Sequence, residues 1–276
     1  MDQLIPIEDC FEDVLGKAIN GLSLSPKILA KRLCTSEESI LSLLRGERND
    51  LLMKTLAKEL FLDFESLVVL ANCPAASDVG LPQEVTLHNT PYPIPGYEAM
   101  TVNSYSISPP GAACHILIDA GVSPSELSDE IAVSGIRADA LLLTHTHHDH
   151  VKYFDALSPM FAHTYAPELE PYRAATPVSE KDSIEIGGGW SLQALLTAGH
   201  SPGGTTYLLR GAPQLVAFVG DAIFSYSIGK AHAAYEAALS AIRGKILSLP
   251  DNTIICPGHG PLTTVAFEKA NNPFFA

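Results

Sequence analysis

The segment that decides the fold is "LLLTHTHHDHVKYF" at residues 141–154. It places four of the chain's ten histidines within six positions, directly after three consecutive leucines. Ordinary packing does not produce such a density, and a purification tag is excluded because the cluster lies in the middle of the chain and is interrupted. An apolar run that ends in imidazoles and a carboxylate predicts a buried strand with a metal site at its end.

The composition is that of a globular, acidic protein. Its 276 residues are 46% hydrophobic and 17% charged, which suits one large or two ordinary domains. A net charge of −14 disfavours nucleic acid and anionic membranes as partners, and no apolar run is long enough for a membrane span. The N-terminus lacks the pattern of a signal peptide, so we expect a cytoplasmic protein. Five widely spaced cysteines without a Cys-x-x-Cys pair argue against both a disulfide framework and a thiolate zinc site.

The first quarter of the chain has the apolar spacing of short amphipathic helices. In "SPKILAKRLC", Ser25 is placed to cap a helix on which Ile28, Leu29 and Leu33 share one side. In "TSEESILSLLRGE", Ser36 is placed to cap the next helix in the same way. No alternating strand pattern occurs in this region, so we expect it to be a small all-α domain.

A proline-rich stretch separates this region from the rest of the chain. We place the boundary near residues 74–84, which divides the chain into domains of residues 1–75 and 76–276. Beyond the boundary, short apolar runs alternate with helical segments, and this alternation predicts an α/β domain with buried strands. The predicted strands lie in "CHILIDAG", "DALLLTH", "SLQALLTAGH", "QLVAFVGDA" and "NTIICPGHG". The predicted helices between them lie in "SPSELSDEIAVSG", "HVKYFDALSP" and "AAYEAALSAIRGKILSL".

Imidazoles and carboxylates follow these runs, and in α/β folds such strand ends gather into one site. The His-x-His pair of His145 and His147 can converge on one ion, while Asp149 and His150 can serve a neighbouring ion. The remaining ligands must come from distant parts of the chain, where Asp221 could bridge both ions with its two oxygens. The complete candidate set is His145, His147, Asp149, His150, His200, Asp221 and His259.

The motifs "THTHHDH", "TAGHSPGG", "VGDAIF" and "PGHG" occur in the order and spacing that is typical of the metallo-β-lactamase superfamily. The resemblance runs from about residue 85 to the end of the sequence and implies a four-layer αββα sandwich with a binuclear site at one edge. It implies two divalent ions, with zinc favoured and iron or manganese compatible. One ion would take His145, His147 and His200, and the other Asp149, His150 and His259, with Asp221 as the bridge.

The resemblance also implies roles for these residues. A hydroxide between the two ions would attack a carbonyl of a small-molecule substrate, so Asp149 and Asp221 are the candidate catalytic carboxylates. Asp119 would orient one of the histidine ligands. Lys230 is either a ligand of a substrate carboxylate or a solvated surface lysine. His88, His115, His163 and His232 are interpreted as ordinary surface or packing residues.

Within the superfamily, single positions separate the branches. His147 stands where the oxygen-reducing di-iron branch has glutamate, and Asp221 stands where the zinc β-lactamases have cysteine. Residues 76–276 carry 9 Lys and Arg against 19 Asp and Glu, which does not suit nucleic-acid processing. The sequence most resembles compact hydroxyacylglutathione hydrolases (glyoxalase II), and this predicts a thioesterase. Because only 17 residues follow His259, glutathione itself stays open as the thiol, as do other thioesters and lactones.

Two other functions remain as alternatives. Persulfide dioxygenases share the motif order but use one iron, which here would be held by His145, His200 and Asp221. The N-terminal helices resemble the helix-turn-helix domain of repressor-type regulators, with Cys34 at a position where a turn glycine is usual. Residues 1–75 carry 8 basic against 12 acidic residues, so DNA binding is disfavoured and a scaffold that packs on the second domain or forms a homodimer is expected.

Overall fold

The computed structural model describes residues 5–76, 79–112, 114–127, 129, 137–231 and 234–276. Five short helices form the N-terminal region. They are α1 (Phe11–Gly21), α2 (Pro26–Arg32), α3 (Glu37–Leu44), α4 (Asp50–Glu59) and α5 (Phe64–Leu70). No helix in the described part of the chain is both long and apolar enough to cross a membrane.

The predicted helix caps are present. The Ser25 hydroxyl accepts a hydrogen bond from the Ile28 amide at 3.3 Å, and the Ser36 hydroxyl accepts one from the Ser39 amide at 3.0 Å. The prediction for Ile28 is wrong, because this side chain is 44% exposed while Ala30 is buried in its place. Successive residues of a helix are about 100° apart, so Ile28 lies about 150° from the centre of a buried stripe between Leu29 and Ala30, on the opposite side of the helix.

The turn between α2 and α3 contains Cys34, which stands where the resembled motif usually has glycine. Cys34 adopts a left-handed backbone conformation with φ of +51°. Glycine is usual at such a position because it lacks the Cβ atom that makes this conformation costly. The helix after the turn begins with Glu37 and Glu38, and both side chains are exposed.

Two six-stranded sheets are formed by strands within residues 85–264. The first has its strands in chain order, β1-β2-β3-β4-β5-β6, and the second has the order β14-β13-β10-β9-β8-β7. A short hairpin, β11-β12, follows β10. The strands are β1 (Val85–Pro91), β2 (Thr101–Ile107), β3 (Cys114–Ile118), β4 (Arg137–Leu142), β5 (His163–Pro167), β6 (Thr176–Val178), β7 (Ser183–Gly187), β8 (Trp190–Leu196), β9 (Thr205–Arg210), β10 (Val216–Gly220), β11 (Ile223–Phe224), β12 (Ser227–Ile228), β13 (Ile254–Pro257) and β14 (Thr263–Thr264).

The two sheets pack face to face, with helices on both outer faces. Tyr105 of the first sheet stacks on Phe218 of the second at a ring distance of 5.2 Å, within a buried apolar layer between the sheets. The outer face of the first sheet is covered by α6 (His148–Val151) and α7 (Phe154–Leu157). The outer face of the second is covered by α8 (Tyr235–Ala241) and the N-terminal helices. These four layers confirm the expected αββα sandwich.

The N-terminal helices share one hydrophobic core with the second sheet. Leu15 of α1 belongs to the same buried cluster as Ile223 of the hairpin and Tyr235 of α8. The approach is close at Gly21, where an added Cβ atom would lie 2.3 Å from the ring of Tyr235. The N-terminal region therefore packs on the second domain as part of a continuous apolar core.

Three predicted helices can be compared with the structure. The segment after the histidine cluster forms two short helices and a 3-10 turn at Ser158–Met160 instead of one helix. The helix predicted over residues 123–135 is present at residues 124–127 and 129, while residues 128 and 130–136 lie outside the described part. The last long helix, predicted over "AAYEAALSAIRGKILSL", forms α8 and continues into a π-helical turn at Ile242–Ile246 before the final helix, α9 (Val265–Asn271).

Strand direction brings the functional ends together. In the first sheet β3 and β4 are parallel, so the residues that follow them emerge at the same edge. In the second sheet β13 is parallel to β10, and β8 and β10 are both antiparallel to β9, so β8, β10 and β13 also end at one edge. The carboxyl ends of five strands thus converge on one site.

A buried glutamate joins the last helix to the hairpin. Glu268 of α9 accepts hydrogen bonds from the Thr263 hydroxyl, the Asn272 side-chain amide and the Tyr226 backbone amide. The side chain is fully buried, and this burial raises the pKa of Glu268 to about 7 although the three donors oppose the shift.

We expect Glu268→Gln to make stability less dependent on pH. Because the folded pKa of Glu268 lies above its unfolded value, its contribution is complete below pH ~4.5 and is lost as the pH rises through 7. The difference in pKa corresponds to about 3 kcal/mol, since each pH unit is worth about 1.4 kcal/mol. Urea unfolding at pH 5 and pH 8 should show a smaller difference for Glu268→Gln than for the wild type. The exposed Glu185→Gln is the control, and equal pH dependence in all three proteins would contradict this account.

Candidate metal centre

The histidine cluster follows β4 as an extended segment that turns into α6. His147 is the residue before this helix, with φ of −63° and ψ of 149°, so the backbone changes direction there. As a result His145 and His147 project from the extended segment, whereas Asp149 and His150 lie on the first turn of α6. His148 points aside, where its ring accepts or donates a hydrogen bond with the Tyr92 hydroxyl.

The second sheet supplies the other three side chains of the candidate set. His200, Asp221 and His259 follow β8, β10 and β13. The carboxylate of Asp221 lies at the middle of the group. Its Oδ2 atom is 3.3 Å from His200 Nε2 and 3.4 Å from His259 Nε2, and its Oδ1 atom is 3.3 Å from His150 Nε2. All seven candidate ligands are therefore brought into one site.

The side chains form two clusters whose ligand atoms lie within 4.8 Å of one another. One cluster consists of His145, His147 and His200, and the other of Asp149, His150 and His259. A third set, of His145, His150 and Asp221, overlaps both clusters and has the same compactness. Asp221 thus lies between two three-residue clusters, which is the arrangement that the resemblance implied.

Most of the histidines are held through the nitrogen that faces away from the site. His150 Nδ1 hydrogen-bonds to Asp119 at 2.8 Å, His259 Nδ1 to the Thr101 carbonyl at 2.6 Å, and His200 Nδ1 to the Lys230 carbonyl at 3.1 Å. Such contacts fix the ring orientation and leave Nε2 directed inward.

Asp119 is a hub among these contacts. Its carboxylate also accepts from the Thr144 amide at 2.7 Å and the Thr144 hydroxyl at 2.8 Å, so it joins the ends of β3 and β4 to α6. The backbone of Asp119 is left-handed, with φ of +62°. This is the position that we expected to orient a histidine ligand.

The inward-facing atoms fit a cation. His145 Nε2, His150 Nε2 and Asp221 Oδ1 are buried and have no hydrogen-bond partner within the described residues. Buried polar atoms without partners are costly, and a metal ion satisfies imidazole and carboxylate donors together. The donor set of nitrogen and oxygen atoms is compatible with zinc, iron or manganese.

The charges of the site also favour a cation. Burial opposes ionisation of Asp221, but the nearby His259 and His150 outweigh it and hold the pKa of this carboxyl well below its usual value. Burial likewise disfavours the charged form of His150, yet Asp221 and Asp119 raise the pKa of His150 to about 10. The buried carboxylates therefore require positive charge beside them, which protons on histidine or metal ions can supply.

Comparison with known proteins agrees with this geometry. The profile of the Metallo-beta-lactamase superfamily matches residues 98–259, more than half of the chain and all seven candidate ligands. The chain belongs to this superfamily.

Among its curated relatives is a probable metallo-hydrolase of Streptococcus pyogenes, 31% identical over 58% of this chain and 80% of the relative. Another is the hydroxyacylglutathione hydrolase GloC of Haemophilus influenzae, 30% identical over 57% of this chain and 85% of the relative. A hydroxyacylglutathione hydrolase of Aeromonas hydrophila is 32% identical, with 57% of this chain matching 62% of that enzyme.

Solved structures show the same fold. BLEG-1, described as a B3 metallo-beta-lactamase, is 28% identical with a TM-score of 0.57 and covers 69% of this chain and all of its own. A di-iron-bound protein, TTHA1623, is 28% identical with a TM-score of 0.55 over 63% of this chain and 96% of its own. ETHE1 of Myxococcus xanthus, at 22% identity and a TM-score of 0.56, covers 68% of this chain and 83% of its own and shares the fold.

Glycine is required where the superfamily motif "PGHG" meets the carboxylate. An added Cβ atom at Gly258 would lie 2.2 Å from Asp221 Oδ1 and 2.5 Å from His150 Cε1. The backbone of this loop is tied down from the first sheet, since Asn103 donates hydrogen bonds to the carbonyls of Pro257 and Gly260. Any side chain at position 258 would therefore displace a candidate ligand.

Glu170 is a site residue that the sequence did not indicate. Its carboxylate accepts from the amide and hydroxyl of Thr146 at 2.9 Å and from the Gly203 amide at 2.6 Å. It thereby links the loop that carries His145 and His147 to the loop that carries His200. A glutamate in a turn beyond β5 carries no motif, so only the fold reveals this role.

The other histidines of the described chain and Lys230 lie outside the group of candidate ligands. His88 hydrogen-bonds to Ser106, His115 is buried and His163 is exposed, while His232 lies outside the described residues. The Lys230 side chain is exposed and lines the cavity in front of the metal centre.

We expect Asp119→Asn to weaken metal binding by about 10- to 100-fold, because the amide no longer fixes His150 as a carboxylate does. Competition with a chelator of known affinity measures this effect for each equivalent of metal. Asp155→Asn is the matched control, since Asp155 forms an exposed ion pair with Arg173. Unchanged affinity in Asp119→Asn would rule out the orienting role.

Proposed function

We propose that this chain is a metal-dependent hydrolase with a binuclear centre and that its substrates are thioesters. The observation that carries the proposal is the position of Asp221 between two three-residue ligand clusters. A bridging carboxylate and two clusters provide for two ions at one site. The likeness to the di-iron-bound TTHA1623 supports this number of metals.

The residues of the site would have separate roles in the reaction. Divalent ions held here would provide hydroxide near neutral pH and polarise the substrate carbonyl. Asp149 and Asp221, both buried, would bind the ions as ionised carboxylates, since neighbouring histidines hold the pKa of each below its usual value in spite of burial. Asp119 would hold His150 in the orientation that ligation needs, and Glu170 would hold the two loops of the first cluster together.

The choice of thioesters rests on the relatives. Proteins named hydroxyacylglutathione hydrolase match this chain at 30% and 32% identity, and the matching regions include the metal motifs. No side-chain nucleophile is needed for such a reaction. Lys230 lines the cavity and would contact the part of the substrate beyond the scissile bond.

A mononuclear-iron persulfide dioxygenase is the competing enzyme. It would use His145, His200 and Asp221, whose atoms also lie near each other, at 3.3 Å for His200 Nε2 and 4.0 Å for His145 Nε2 from Asp221 Oδ2. The likeness to ETHE1, at 22% identity, speaks to the fold alone. Metal content separates the two proposals, since hydrolysis predicts about two ions per chain and oxygen chemistry predicts one iron.

DNA binding is the weaker alternative. Arg45 forms an ion pair with Glu38 on α3, Arg48 with Asp50, and Arg32 with Glu59. These three arginines are thus already paired with carboxylates, which weakens their attraction to phosphates. We infer that the helical region binds no DNA, and a gel-shift assay with random duplex at low salt should show no complex.

Steady-state hydrolysis tests the proposal. With metal restored, we expect kcat/KM above about 10⁴ M⁻¹s⁻¹ on at least one acyl thioester of a panel that begins with S-D-lactoylglutathione. Asp221→Ala should lose most bound metal and at least about 100-fold in kcat/KM, because it removes the bridging ligand. Asp155→Ala, which changes an exposed residue, should keep its bound metal and its kcat/KM. Full metal content and activity in Asp221→Ala would show that the site is wrongly assigned.

A further inference from the structure

A cavity of about 500 Å³ opens onto the metal centre, and part of its wall comes from the N-terminal region. Asp149, Asp221 and His259 lie on its floor. Asp221 is 93% buried, and its Oδ1 atom has no hydrogen-bond partner within the described residues. The cavity therefore ends at candidate ligands of the metal centre. Its other surfaces determine which molecules can reach that centre.

The N-terminal part of this wall is acidic. It consists of the segment before α1 and the polar side of α1, and it carries more carboxylates than ammonium groups. The charged residues of the cavity outside the metal centre are Glu8, Asp9, Glu12, Asp13, Lys17 and Lys230.

The two lysines do not balance the four carboxylates. Lys17 is engaged, because it pairs with Asp9 and donates to the Ile228 carbonyl at 2.8 Å. Lys230 is then the ammonium group that remains opposite three carboxylates of the lining, those of Glu8, Glu12 and Asp13. The wall therefore carries an excess of negative charge.

Glu8 is the carboxylate of this wall that is placed next to the metal centre. An added Cβ atom at Gly260 would lie 3.3 Å from the Glu8 amide nitrogen and 3.4 Å from Glu8 Cβ, so Glu8 packs on the residue that follows His259. Within the described part of the chain, no hydrogen bond or ion pair of the Glu8 carboxylate is found. The Glu8 side chain is partly buried, and a cation beside a partly buried carboxylate offsets the cost of removing that carboxylate from water.

We propose that the cavity selects substrates that carry a positively charged group, and that Glu8 is the residue that sets this preference. The inference rests on the proposed hydrolase and names its substrate class, acyl thioesters with a cationic leaving group. The acyl carbonyl would reach the floor while the cation lies against Glu8 and Glu12. The aromatic ring of Tyr97, which also lines the cavity, suits a cation as well. A thiol with a net negative charge, such as glutathione with its two carboxylates and one ammonium group, would be disfavoured by the same wall.

Three thioesters of one acyl group test the preference directly. The thiols are thiocholine, its uncharged isostere 3,3-dimethylbutane-1-thiol, and 3-mercaptopropionate. We expect kcat/KM to be about tenfold higher for the thiocholine ester than for the isostere, and lower again for the carboxylate, as a single partly screened charge contact implies. Equal values for all three esters would overturn the proposal.

Substitutions at Glu8 test whether this residue causes the preference for a cationic thioester. Glu8→Gln should reduce the ratio of kcat/KM between the thiocholine ester and the isostere several-fold, and Glu8→Lys should reverse the order so that the 3-mercaptopropionate ester becomes favoured. The control is Glu65→Gln, which removes the same charge from an exposed position on α5 outside the cavity. A ratio that is unchanged in Glu8→Gln would assign the preference to another group.

A binding measurement separates this inference from the hydrolase proposal. Choline and 3,3-dimethylbutan-1-ol have the same shape and differ in charge, and their binding to the metal-replete protein can be followed by ligand NMR. We expect choline to bind more tightly to the wild type and to lose this advantage in Glu8→Gln. If choline is preferred but no thioester is hydrolysed, the hydrolase proposal fails and the cation preference stands. If both probes bind equally, the inference fails whatever the hydrolysis shows.

Discussion

The structure depends on the burial of the Asp221 carboxylate among imidazoles. A buried negative charge is tolerated only where positive charge or metal ions lie beside it, and here histidines from both sheets surround it. Those histidines can meet only if the carboxyl ends of β4, β8, β10 and β13 converge on one edge of the sandwich. The packing of the two sheets therefore determines whether the chemical groups of the site can come together.

Several unusual backbone positions follow from this constraint. Gly258 leaves room for the carboxylate, and Gly220 adopts φ of +51° directly before Asp221, where a Cβ atom would lie 2.5 Å from the Thr144 hydroxyl. Asp119 has a left-handed backbone conformation, and its carboxylate hydrogen-bonds to both Thr144 and His150. Strained or crowded positions of this kind persist because the surrounding contacts determine them.

Much of the fold could be predicted from the sequence, because five strands and both N-terminal helix caps leave local patterns. Buried runs such as "QLVAFVGDA" are apolar throughout, and each ends in a polar motif. Strands such as β1 and β7 lie at sheet edges with partly exposed residues, so their composition did not distinguish them from loops. The single helix expected after His150 is broken into short pieces, which residue spacing alone did not indicate.

The candidate ligands could be chosen from the sequence because four histidines lie within six positions and the other ligand motifs follow predicted strands in the order of a known superfamily. The supporting residues could not, since Glu170 and Asn103 act through contacts between segments that are distant in the chain. The acidic wall of the cavity could not be predicted from the sequence for a related reason. Helical periodicity identifies the apolar side of α1, on which Phe11, Val14 and Leu15 are buried, but its polar side looks the same whether it faces water or a cavity.

The docking of α1 nevertheless fixes what that polar side does. Once Leu15 is packed against the second sheet and Gly21 against Tyr235, the helix can neither rotate nor slide without opening a void or producing a clash. Asp13 and Lys17, one turn apart on its opposite side, are then held in a row along the cavity, next to Asp9 in the segment before the helix. A helical region that resembles a DNA-binding module thus contributes a rigid, charged surface to a metal centre formed by another part of the chain, and its apolar packing determines where each charge lies.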